Sequence, residues 1–130
     1  MRTAPLVAAM CALLLCACGN QGNQDQAVRA RVEEAAATGR QAAQAVGNYM
    51  RKHGRAPAQI EQAYIRPAAL RDIKLMSVNG QTGQVRVALA FPPVEGKSLL
   101  FVPTRKPDRS IVWQCISEDI PAKYLPEECR

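Results

Sequence analysis

The chain has 130 residues, enough for one domain around one hydrophobic core. With 48% hydrophobic and 22% charged residues it has the make-up of a globular protein, and 5% aromatics leave little from which to build a base-stacking platform. A formal charge of +6 permits attraction to phosphate, anionic lipid or acidic glycan without establishing any of them.

The first segment reads as an address. Met1-Arg2 is a short basic start, and Leu6 to Cys16 is apolar throughout. That run is too short to span a bilayer, which takes about 20 apolar residues, but it has the shape of a secretory signal. Leu15-Cys16-Ala17-Cys18 resembles the lipobox of bacterial lipoproteins: an aliphatic residue, two small ones, then the cysteine that receives lipid. Residues 1–17 are therefore expected to be a leader, residues 18–26 a lipidated tether, and residues 27–130 the globular domain. An ordinary signal peptide with Cys18 as a bystander is the alternative. Gly19, rather than aspartate, follows Cys18, which by the sorting rule of enteric bacteria points to the outer membrane.

Asn20 to Gln26 is polar, and a helix is expected from near Asn23 or Asp25 to about His53, with Asn23 and Gln26 spaced for a capping box. Val28, Val32, Ala35, Gly39, Ala42, Val46 and Tyr49 form one stripe of an amphipathic helix. The stripe is built mainly of small residues, so the helix can lie close against a sheet. Close approach is a reason for Gly39, which costs about 1 kcal/mol relative to alanine inside a helix. Gly54 and Pro57 end the helix.

A connector follows, with room for a short helical turn around Ala58 to Ala63. Four strands are expected: Ile73 to Val78, Gln84 to Phe91, Ser98 to Val102 and Ser110 to Cys115. Asn79-Gly80, extended by Gln81-Thr82-Gly83, is the turn between the first two. In the second strand Val85, Val87, Leu89 and Phe91 share one face. Pro103 through Arg109 reads as a turn carrying Arg105, Lys106 and Arg109. Trp113 shares a face with Ile111 and Cys115 and reads as a core anchor.

Five cysteines fall into a leader group, Cys11, Cys16 and Cys18, and a terminal pair, Cys115 and Cys129. Neither group has metal-ligand spacing, and the single histidine, His53, reads as solvated at the helix end. Export into an oxidising compartment implies that Cys115 and Cys129 are bridged, closing a loop that contains Pro121 and Pro126, with two buried free thiols as the alternative. The bridge would fold that loop along the edge of the sheet. The expected architecture is an α+β roll: one N-terminal amphipathic helix on an antiparallel sheet of about four strands, ending in a disulfide-bounded loop. No catalytic constellation or phosphate loop is present, and no enzyme activity or cofactor is expected.

Gly96-Lys97-Ser98-Leu99 leading to Pro103, then Asp108-Arg109-Ser110-Ile111-Val112-Trp113-Gln114-Cys115, then Ala122-Lys123-Tyr124-Leu125-Pro126 and Cys129-Arg130 carry a resemblance to the globular domain of type IV pilins. Weaker likeness extends back to Val28. Arg109 stands where a glycine is usual. The resemblance implies a pilin-type roll whose C-terminal loop is a recognition surface, with Lys123 and Tyr124 as the side chains presented. Packing of Tyr124 and Leu125 onto the sheet is the alternative. The long apolar N-terminal helix of pilins, which spans the membrane and forms the filament core, is replaced here by the lipoprotein-like leader.

The leading expectation is a membrane-tethered pilin-like lipoprotein, exported to the periplasmic face or cell surface. It would act by binding in cell adhesion or with pilus subunits. Two alternatives remain. One is nucleic-acid binding, as in DNA uptake, through a basic patch of Arg105, Lys106, Arg109, Lys123 and Arg130. The other is a tethered decoy for phage that bind pili.

Overall fold

A long helix lies across one face of a four-stranded antiparallel sheet whose strands follow chain order. The computed structural model describes residues 19–67 and 70–130. The leader and the lipidation candidate Cys18 lie outside the described residues. Helix α1 spans Gly19–His53, and strands β1 to β4 span Ile73–Val78, Val85–Leu89, Ser98–Arg105 and Ile111–Ile116. Single 3-10 turns occur at Ile60–Gln62, Ala122–Tyr124 and Glu127–Cys129.

The helix begins earlier than its sequence spacing suggests. Residues 20–26, read as a tether, are helical, so Asn23 and Gln26 lie inside the helix and no capping box forms at Asn23. The first turns contain no proline or β-branched residue to break them. Farther along, Val32, Ala35, Ala42 and Val46 are buried as the stripe requires, joined by Ala36, Ala43 and Met50 on its flank. The buried band is thus wider than a single row, as befits a helix lying on a flat sheet. At its end Gly54 adopts φ +70 and donates its N–H to the Met50 carbonyl, satisfying one of the last-turn acceptors.

Gly39 sits where the two layers come closest. A Cβ there would lie 2.7 Å from Phe101 Cζ and 3.1 Å from Val87 Cγ2. Two turns on, the Trp113 indole nitrogen lies 3.3 Å from where a Gly47 Cβ would stand. The helix's two interior glycines in this stretch therefore seat one aromatic ring each, from β3 and from β4.

Asn79 builds the β1–β2 turn. Its Oδ1 accepts from Gln81 N at 2.8 Å and Thr82 N at 3.1 Å, while Gly83 supplies the positive φ. The alternation of Val85, Val87, Leu89 and Phe91 is carried through into burial: all four are buried. Strand β3 runs beyond Val102, through Pro103 to Arg105. Pairing with β2 ends at Phe101, so Pro103 stands where β3 has a partner only in β4, opposite Trp113. Proline is tolerated on such an edge, and for that reason it does not end the strand.

Candidate functional site

The C-terminal segment after β4 is the part of the fold with the most chemistry. It leaves the strand at Ser117, whose hydroxyl donates to the Ser98 carbonyl at 2.8 Å. Asp119 Oδ1 accepts from Ser98 N at 3.0 Å, and Lys97 Nζ donates to the Asp119 carbonyl at 3.0 Å. Together these close the start of β3. The chain then crosses to the helix, turns at Ala122–Tyr124, and returns to β4, where Cys129 is bonded to Cys115.

The loop spans two layers rather than lying along the sheet edge alone. Its 3-10 turn at Ala122–Tyr124 packs on α1, and the turn at Glu127–Cys129 packs on β4. Ile120, Tyr124, Leu125 and Cys129 are buried. Outside them, Glu118, Pro121, Ala122, Lys123, Glu127, Glu128 and Arg130 face solvent.

Polar ties fix the loop to the helix. Tyr124 Oη donates to Asp25 Oδ1 at 3.0 Å, and Lys123 Nζ donates to Asp25 Oδ2 at 3.1 Å. Arg40 pairs with Glu128. The Lys123 and Tyr124 donors hold the Asp25 carboxyl below its ordinary range. Tyr124 and Asp25 in turn raise Lys123 above the usual lysine value.

Of the two side chains expected to be presented, Tyr124 is 7% exposed and belongs to the core, whereas Lys123 keeps an exposed ammonium paired with Asp25. Tyr124 packs against the helix rather than the sheet alone. The reason is Asp25, whose partners are 98 and 99 residues away and leave no local signal in the sequence.

The basic residues divide into two sets. Arg105, Lys106 and Arg109 lie at the β3–β4 turn, beside the C-terminal end of α1. Arg105 and Arg109 border a depression there together with Arg51, and a second depression is shared by Arg55 and Arg105. Lys123 and Arg130 belong to the C-terminal loop; Arg130 Nε donates to the Leu125 carbonyl at 3.3 Å. Lys123 is tied to Asp25, and Asp25 to Arg51 along the helix is about 39 Å at 1.5 Å per residue. Lys123 is therefore remote from the arginines expected to share its patch. Arg51 and Arg55 escape a reading by sequence neighbourhood because they enter from the helix end.

His53 is exposed at that same end and stacks on Tyr49 with ring centroids 4.1 Å apart. Among the described residues no group of three His, Cys, Asp or Glu side chains could hold a metal ion, and no helix is long and apolar enough to cross a membrane. The C-terminal region is a covalently closed loop tied to both the helix and the sheet.

Residues 28–130 match the family model described as Pilin (bacterial filament). None of the curated proteins matches the chain.

Proposed function

The chain belongs to the pilin family, and from that premise we propose that it is a membrane-tethered, non-enzymatic pilin-like lipoprotein that works by binding, in cell adhesion or as an accessory of the type IV pilus system. The family supports a pilus-subunit-like role and an exported surface location. The observation that carries the binding reading is the C-terminal loop, closed by Cys115–Cys129 and fastened to α1 through Asp25. A surface held in one conformation loses little entropy when a partner docks.

The tether is lipid on Cys18, supported by the Leu15-Cys16-Ala17-Cys18 pattern, and the outer membrane is the destination. Deletion of the gene tests the functional reading: piliation, twitching or surface attachment should change, and unchanged behaviour in all three would sink it. Incorporation of labelled fatty acid into the wild-type chain, lost in Cys18→Ala, tests the anchor separately.

A further inference from the structure

The two depressions at the C-terminal end of α1 form one trough. They have volumes of about 340 and 430 Å³ and share Met50, Gly54, Arg105 and Ile111. The floor is apolar. Met50 and Ile111 line both halves, and Ala56 and Pro103 line the second; Met50 and Ala56 are buried, Ile111 and Pro103 half-buried. The rim is cationic, with four exposed arginines. Arg51 comes from the last turn of the helix, Arg55 from just beyond it, Arg105 from the end of β3, and Arg109 from the β3–β4 turn.

We propose that this trough docks an extended acidic peptide segment of a partner protein, one in which carboxylates flank an apolar side chain. The contact is separate from any made by the C-terminal loop.

The rim can take carboxylates. Among the described residues Arg51, Arg55, Arg105 and Arg109 have no ion-pair partner, whereas Arg29, Arg31, Arg40, Arg66 and Lys123 each have one. Arg51 donates only to the neutral Asn48 amide oxygen. The carboxylate of this turn, Asp108, is engaged by Ser110 N at 2.9 Å and by the Ser110 hydroxyl at 2.6 Å. A guanidinium meets a carboxylate with two parallel N–H···O bonds.

The trough also holds acceptors that a peptide can use. At the end of α1 the Met50 carbonyl accepts from Gly54 N, but among the described residues the carbonyls of Arg51, Lys52 and His53 accept no backbone hydrogen bond. The basic side chains of this last turn offset the partial negative charge of the helix end. A peptide brings N–H donors as well as carboxylates, whereas a phosphodiester or a sulfate group brings acceptors only. The floor adds a second selection. An apolar side chain between two carboxylates is desolvated on Met50 and Ile111, and a bare polyanion gains nothing there. No aromatic residue lines either half, so nucleotide bases have no ring to stack on.

A second copy of the chain is a poor occupant. Its formal charge is +6, so copies repel. Of its acidic side chains, Asp25, Glu33, Glu61, Asp72 and Glu128 are already in ion pairs.

Fluorescence anisotropy of a labelled synthetic peptide with leucines set between glutamates, titrated with the full chain, tests the proposal. The peptide should bind, and glutamine in place of its glutamates should abolish binding. Serine in place of its leucines should weaken binding about 5-fold, the effect of burying part of a leucine side chain. Arg55→Gln and Arg105→Gln should each weaken it about 3-fold, the range of an exposed ion pair, and the double substitution more than either alone. Arg86→Gln removes the same charge from an exposed site on β2 and should leave binding unchanged. Circular dichroism of each variant checks the fold. Absence of binding, equal binding of the serine or glutamine peptide, or equal weakening by Arg86→Gln overturns the proposal. So does tighter binding of a DNA duplex, a sulfated polysaccharide or anionic phospholipid vesicles at matched salt.

Discussion

Tyr124 donates its hydroxyl to Asp25 across 99 positions of sequence, at 3.0 Å, and so joins the last segment of the chain to the first turns of the helix. Tyr124 is buried by its ring and satisfied at its hydroxyl. Removing the hydroxyl and removing the ring should therefore have separable effects. Tyr124→Phe should destabilise modestly while keeping the loop packed, and Tyr124→Ala should cost about 3 kcal/mol as a large core truncation. Chemical denaturation of the two variants checks the order. Equal losses would mean that the ring contributes nothing beyond its hydroxyl.

The Cys115–Cys129 bridge should contribute about 3 kcal/mol, the loop-entropy value for a closure of this size. Cys115→Ser with Cys129→Ser is expected to lower the urea midpoint by the corresponding amount. Reduction of the wild-type chain should have the same effect.

Gly39 and Gly22 should respond to alanine with opposite signs. At Gly39 the added methyl runs into the Phe101 ring and Val87, and overpacking costs typically 1–3 kcal/mol, more than the ~1 kcal/mol of helix propensity gained. At Gly22 nothing lies within 4 Å, so only the propensity gain remains. Thermal melts of Gly39→Ala and Gly22→Ala should move down and up respectively.

Acid should loosen both carboxylate ties to the helix. Asp25 is held below its ordinary value near 3.8 by Lys123 and Tyr124, and Asp72 by Arg31. A carboxylate with a depressed folded pKa binds fewer protons folded than unfolded. Its contribution is complete above about pH 4 and is lost as pH falls through the depressed value. Asp25→Asn should flatten the stability profile below pH 4 while lowering the plateau above it. A profile unchanged by the substitution would show that the tie is not coupled to folding.

Local features made most of the fold legible. The 3.6-residue stripe located α1, the alternation from Val85 to Leu89 located β2, and Asn79 with Gly83 fixed the turn before it. In the sequence Pro103 marks an end to β3, because a proline normally removes a ladder donor; only the pairing shows that β2 has already ended at Pro103 and that the strand continues to Arg105. The helix starts at Gly19, ahead of Asn23 and Asp25, which resemble caps in the sequence. Asp25 is polar for another reason, its partners in the C-terminal loop. Nearness in sequence groups Arg105, Lys106 and Arg109, whereas Arg51 and Arg55 come beside Arg105 and Arg109 only through the antiparallel return of the sheet to the helix end.

The C-terminal loop separates the residues that hold it from those that face outward. Ile120, Tyr124, Leu125 and Cys129 do the holding, while the side chains of Glu118, Pro121, Ala122 and Glu127 are exposed. Surface substitutions away from structural features usually change stability by no more than about 0.5 kcal/mol. The outward side chains can therefore be exchanged while the frame stays fixed, so the chemistry of the loop's outer face is free to change at little risk to the fold.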